Sequence, residues 1–424
     1  MTDERGVLRR IAWRELFPWL IIFRAFRLSI SPTLLAVATL AVLLSMVGSG
    51  IGHIFLTKEQ RKEAVPGPSL ADHTPLAVSK YLPVEESSAR EGYFRLAEPF
   101  YRIFRREMTL NHAAYFVFVS LWSLAIWAFA GGIITRRAVV EFGADETPGI
   151  VDTVKYVARR YLSYFLSPLY PLCGILLLML PIAALGLIVR ITDLGVVLAG
   201  LVWILVIVAG LVAAWLLVGL LFGFPLMWGT ISAEREGDAF EAFSRSYSYV
   251  YGKPLHYLFY AIVASLFGAL CWAVVSYAGE IIIEFGFWGL SWGAGEKRTN
   301  EIVGLVNLGI EKMYAADGPQ VSGVLKAGAV LIILAVGLVR LVATGFIFSF
   351  FWCVAGAIYL LLRQDVDDKE LDEVYMPVEP TGPKGPLQAS TTPAPEPNPA
   401  PVPTDAVPPA TDQRMVETVQ APPP

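Results

Sequence analysis

GFPLMWGTISAEREGDAFEAFSRSYSYVYGKPLHYLFY, residues 223–260, is the stretch whose reading decides the fold. A long apolar run stops, a short polar segment turns, and a second apolar run begins. Asp238, three residues before Glu241, has the form of a capping box, in which side chains satisfy the free amides of a helix start. Gly252 and Pro254 mark the other end. Between them Phe240, Phe243, Tyr247 and Val250 or Tyr251 recur at helical spacing, while Glu241, Ser244, Arg245 and Ser248 fall on the opposite side. The pattern predicts an interfacial helix, an elbow joining two membrane spans.

Working outward, composition places the whole chain in lipid. With 424 residues, 55% hydrophobic content and a mean hydropathy of +0.56, it carries more apolar surface than one soluble core hides. The class is all-α, a polytopic membrane helical bundle. A net charge of −4 supplies no global basic field, so no nucleic-acid partner is expected. Cys173, Cys271 and Cys353 lie inside apolar runs and read as small core residues rather than a disulfide framework. Arg24 and Arg27 interrupt the first apolar run, which lacks a cleavage site, so a removed signal peptide is not expected.

Residues 1–32 read as an N-terminal interfacial segment, with Trp, Phe and Arg mixed over 7–28 as suits a helix at headgroup level. Six spans follow, at about 33–55, 113–134, 169–189, 197–222, 258–282 and 341–361. The third and fourth, joined by a tight turn holding Arg190 and Asp193, form an antiparallel hairpin. Pro225 is expected to turn the end of the fourth span, with Trp228 at the membrane interface. Two outer loops cover 56–111, with a surface helix over 93–108, and 284–320. Residues 135–167 repeat the elbow plan. Thr147 and Pro148 read as N-cap and first helical residue. Ile150, Val154, Val157, Tyr161 and Phe165 then form a stripe opposite Asp152, Lys155, Arg159 and Ser163.

The last apolar region, 327–362, is too long for one untilted span and contains Arg340. One solution makes 327–339 a reentrant or interfacial segment; the other keeps a single tilted helix with Arg340 turned into the bundle. The first is favoured, because arginine at the bilayer centre costs at least about 2.5 kcal/mol on insertion scales. Beyond Arg363 the chain is acidic, then Pro-rich over 377–424, a composition expected to be disordered. Basic residues near the span ends place both termini on the cytoplasmic side. The Lys and Arg residues of the first outer loop oppose this, and the loop's length weakens their vote.

Set side by side, residues 133–169 and 225–258 share a span end, a glutamate (Glu141, Glu234), a polar turn and an amphipathic helix feeding the next span. They are two versions of one unit or two arrivals at the same physical solution. FPLMWGTISAEREGDAFEAFSRSYSYVYGKP (224–254) and AIYLLLRQDVDDKELDEVY (357–375) resemble a group of poorly characterised bacterial multi-pass membrane proteins. The AFEAFSRSYSYVYG form alone (239–252) is loosely similar to the membrane domain attached to some glycerophosphodiester phosphodiesterases; the catalytic domain of those enzymes has no counterpart here. The resemblance covers most of 110–376, and implies a helical bundle and a bacterial inner membrane. It supplies no site residues.

HExxH and GxxxxGK[ST] are absent from the sequence, and the one string of GxSxG form, GLSWG at 289–293, lies in an aromatic, Gly-rich run with none of the strand-to-helix pattern that a nucleophile elbow needs. His53, His73, His112 and His256 are scattered, so no metal, cofactor or catalytic residue is expected. Glu280 and Glu284, four apart, share a helix face and are placed to bind a cation or meet Arg340. Asp238, Glu241, Arg245, Tyr247 and Arg159 are the elbow residues of interest. The expected role is membrane organisation, scaffolding or partner docking, with membrane lipids as surroundings and a protein partner met through the elbows or the Pro-rich tail. A transporter is the alternative, suggested by the possible repeat and Arg340. An interfacial lipid-acting enzyme, resting on the two glutamates, is the third.

Overall fold

Proline, glycine and short polar side chains set the helix ends in this chain. A computed structural model describes residues 17–56, 110–315 and 318–376, all helix, turn or irregular structure. The expected surface helix over 93–108, most of the N-terminal segment before Phe17, and the tail 377–424 lie outside the described residues. After a short 3-10 turn at Pro18–Leu20 come α1 (Ile21–Ser29), α2 (Pro32–Gly52) and α3 (Leu110–Gly143). The first elbow is α4 (Ile150–Arg159) and α5 (Tyr161–Leu166). The hairpin follows as α6 (Leu169–Ile191), α7 (Asp193–Leu201) and α8 (Trp203–Ala233). The second elbow is α9 (Ala239–Gly252), leading to α10 (Pro254–Ala294), α11 (Glu296–Met313) and α12 (Gly323–Asp367).

Pro32 and Pro254 open α2 and α10, where a missing N–H costs nothing. Thr192, Asp238 and Ser322 cap α7, α9 and α12, each accepting a bond from the backbone N–H three residues on. Gly295 ends α10 in a positive-φ conformation (φ +78°) that favours glycine. The Asp238 cap, 2.7 Å from the Glu241 amide, makes one prediction. Asp238→Ala is expected to cost about 1 kcal/mol, and Asp238→Asn almost nothing, by thermal unfolding in mild detergent. Equal losses in both variants would remove the cap from the account.

Six helical stretches are long and apolar enough to cross a bilayer: Pro32–Phe55, Leu110–Gly143, Tyr161–Ile191, Trp203–Ala233, Pro254–Ala294 and Gly323–Asp367. The chain is a multi-pass membrane protein. Its centre is α12, which packs against α1, α2, α3, α8, α10 and α11. Every residue from Thr344 to Arg363 is buried, as expected for a helix apolar on all sides. Close approach depends on small residues. A side chain at Gly345 would collide with the Thr39 hydroxyl and press on its backbone in α2, and one at Gly229 would strike Tyr359.

Several expectations are corrected. Residues 327–339 are not reentrant: they belong to one continuous α12 of 45 residues, about 67 Å at the usual rise. No proline interrupts it, and Arg340 finds a carboxylate on α10. The stretch 284–320, expected as an outer loop, is largely helical, because α10 continues through the Gly-aromatic run to Ala294 and α11 follows at once. Pro225 lies inside α8 rather than ending it, and Trp228 is fully buried rather than interfacial. In the first elbow α4 begins at Ile150 with Gly149 as N-cap, so Thr147 and Pro148 precede the helix. The described part of the N-terminal segment is packed on the bundle: Ile22, Ala25 and Leu28 of α1 are buried, against α12, α10 and α3. Cys271 and Cys353 are buried, whereas Cys173 is exposed on α6.

Candidate functional site

Glu234 is the first residue past α8, where the backbone turns extended. Its carboxylate faces four groups from three segments. Arg363 Nε of α12 lies 3.0 Å away, Arg245 of α9 3.2 Å, and Lys369 Nζ of the exit segment 3.4 Å. The Tyr359 hydroxyl donates at 3.3 Å. Arg363 is only 3% exposed, so its charge is stable there chiefly because Glu234 neutralises it. Arg245 also meets Glu241 at 2.7 Å and Asp367 at 3.5 Å. Burial works against its charge, but Glu234 and Glu241 outweigh that and hold the guanidinium pKa above its ordinary value. Tyr249 donates to Asp367 at 2.6 Å, and burial together with that bond pushes its phenol pKa up.

The second half of the site is built on the end of α8. The last carbonyls of a helix have no partner within it and carry the negative end of its dipole, so they attract cations. Two arginines answer. Arg136 of α3 donates to the Ser232 carbonyl, and Arg160 between α4 and α5 to those of Ile231 at 3.1 Å and Glu234 at 2.9 Å. Both guanidiniums stack on Tyr156, at 4.1 and 4.5 Å from its ring centre. The Tyr156 hydroxyl donates to the Ile231 carbonyl at 2.8 Å. Burial raises the Tyr156 pKa against the pull of the two arginines, so the phenol remains a neutral donor.

The chain leaving α12 is strapped onto this surface. Asp368 takes a left-handed conformation (φ +51°) and turns the backbone. The Tyr375 amide then donates to the Ala233 carbonyl at 2.9 Å, Arg136 donates to the Tyr375 carbonyl at 2.8 Å, and Arg363 to the Glu373 carbonyl at 2.5 Å. Val374 is buried among core residues. The second elbow and the exit from α12 therefore meet at Glu234.

The residues singled out in the sequence divide as follows. Asp238 caps α9, Glu241 and Arg245 join the ionic network, and Tyr247 is buried with its hydroxyl donating to the Leu216 carbonyl at 2.5 Å. Arg159 is exposed, and its neighbour Arg160 makes the contacts. Glu280 pairs with Arg340 at 3.2 Å, both side chains largely buried, while Glu284 is exposed. Glu234, Arg363, Asp367, Arg136, Arg160, Tyr156 and Tyr375 were not anticipated as site residues. For Glu234 a signal existed, its match to Glu141. Glu141 also stands near the end of its helix with an arginine opposite, Arg27 at 3.5 Å.

Chemically the site is a clasp. Its carboxylates are engaged by Arg245, Arg363 and Lys369, and the carbonyls at the end of α8 by Arg136 and Arg160. Among the described residues, no three His, Cys, Asp or Glu side chains converge to hold a metal. No protein-family model, curated protein or solved structure matches the chain.

Proposed function

We propose that the chain is a non-enzymatic protein of the bacterial inner membrane, with both termini cytoplasmic, whose elbow side is a docking platform. The observation that supports this reading is the strap: Arg136, Arg363 and the Ala233 carbonyl fix residues 373–375 on the platform. A chain fixed there delivers the Pro-rich 377–424 segment from a defined point on the membrane surface. Polyproline sequence is a ligand for aromatic-lined grooves, because little order is left to impose on binding. The partner class is accordingly a soluble protein with such a groove.

The same reading accounts for Arg340 without a transport path. Tyr260 of α10 donates to Asp365 of α12, and Glu280 meets Arg340 about 20 residues further along α10. That separation is about 30 Å, the thickness of a hydrocarbon core. The Arg340–Glu280 pair thus serves as the outer boundary clasp of the antiparallel α10–α12 pair.

The test compares full-length protein with a chain ending at Met376, each purified from native membranes. A partner retained by the first, lost by the second and released by a synthetic 377–424 peptide is expected. A reporter fused after Pro424 is expected to be active on the cytoplasmic side. An unchanged set of partners after truncation, or a reporter active only outside, would sink the proposal.

A further inference from the structure

Between α8 and α10 the bundle leaves an apolar groove of about 520 Å3, within the span of roughly 300–1,000 Å3 typical of small-ligand sites. Val218 and Phe222 of α8 form one wall, Ala261 and Ser265 of α10 the other, and Val354 and Ile358 of α12 the floor. Among the described residues α8 and α10 do not pack along their lengths, and the elbow helix α9 bridges them at one end.

The groove's chemistry follows from where the tyrosine hydroxyls go. Tyr251 donates to the Trp215 carbonyl at 2.6 Å while its ring stacks on Trp215, and Tyr257 donates to the Phe222 carbonyl at 2.8 Å. Both rings line the groove, and both hydroxyls are committed to α8 backbone. Apart from the Ser265 hydroxyl the lining that remains is hydrocarbon, and water needs two to four polar partners to settle in such a space. Next to the lining residues Ala261 and Ser265, Ile262 and Leu266 of α10 are exposed and apolar as well. On a membrane-spanning pair of helices, acyl chains are what meets such a surface. At the elbow end Lys253 and His256, both exposed, flank Pro254, itself a groove residue. They supply N–H donors and, from Lys253, positive charge at the depth where a phospholipid phosphate would lie.

We infer that this groove binds one acyl chain of an anionic phospholipid from the leaflet on the elbow side, with its phosphate held by Lys253 and His256. The site is independent of the docking role proposed above.

Native mass spectrometry of the full chain in mild detergent, loaded from vesicles of equal phosphatidylglycerol and phosphatidylcholine, tests this directly. One retained phosphatidylglycerol is expected. Ala261→Phe and Ser265→Phe, which fill the groove, are expected to abolish retention. Leu266→Phe, on the exposed face, is expected to preserve it. Lys253→Gln is expected to keep a bound lipid but remove the preference for phosphatidylglycerol. Retention that survives both filling substitutions, no retained lipid in the unaltered chain, or a second copy of the chain in the groove would each overturn the inference. Should the filling variants fail to fold, the unaltered chain decides, using phosphatidylglycerol with a photoreactive group in its acyl chain. Adducts concentrated on Ala261, Ser265 and Val354 support the site. Adducts spread evenly over exposed positions such as Leu177 and Leu205 refute it.

Discussion

Replacing Glu234 by glutamine is expected to destabilise the protein by about 3–5 kcal/mol, the usual cost of removing one partner from a buried ion pair. The reason lies in what the other partners have left. Arg245 keeps Glu241 and Asp367, at 2.7 and 3.5 Å. Lys369 is about one-third exposed and can turn to water. Arg363 has neither option: it is 3% exposed, and Glu234 is its carboxylate among the described residues. Its remaining bond to the Glu373 carbonyl leaves a full charge uncompensated in the interior. Thermal unfolding in mild detergent reads the loss, with Glu236→Gln as the control. Glu236 is exposed on the same turn and should stay within about 0.5 kcal/mol of the unaltered chain. Restoring stability in Glu234→Gln by adding Arg363→Met would identify the orphaned charge as the cause. A single Glu234→Gln variant as stable as the control would show that Glu234 does not hold the site together.

What the sequence made legible here is what one helix decides for itself. The start of α9 at Asp238, its end near Gly252, and the entry of α10 at Pro254 are local backbone chemistry, and each stands where it was read. The lipid-crossing stretches were legible because length and hydropathy suffice for them. Most contacts between helices were not, apart from the α6–α8 hairpin and the option that Glu280 or Glu284 meets Arg340. Arg340 alone looks like a break in a span; its partner Glu280 is 60 positions away, and with it present α12 continues. The stripe argument put Arg159 on the polar face of the first elbow, correctly, since it is exposed. It could not foresee that α4 ends there, with Arg160 leaving helical geometry (φ −110°, ψ 12°) and reaching the end of α8. The exit segment 368–376 read as acidic chain because most of its anchors, at Glu373 and Tyr375, are backbone amides and carbonyls, which carry no sequence signature.

Trp228→Ala is expected to lose about 3–5 kcal/mol, the cost of emptying a buried tryptophan site. The sequence alone assigns Trp228 to the membrane interface, where truncation would cost little. The packing says otherwise. The side chain is fully buried, and its ring stacks on Trp352 with centroids 4.1 Å apart and lies edge-on to Tyr164 and Phe224. Its indole N–H donates to the Tyr164 carbonyl at 2.9 Å. Gly131 on α3 is the notch that admits the ring, since a methyl group there would strike it. One side chain therefore ties α8 to α12, to the first elbow and to α3, and the cavity cannot close without moving helices that Glu234 also holds. Trp228→Phe keeps most of the volume but loses the indole bond, so a smaller loss is expected. Trp292→Ala, at a site 74% exposed, should fall within about 0.5 kcal/mol. Ranking the three by unfolding temperature tests the assignment. Trp228→Ala grouping with Trp292→Ala would return Trp228 to the interface and remove the shared core beneath the two elbows.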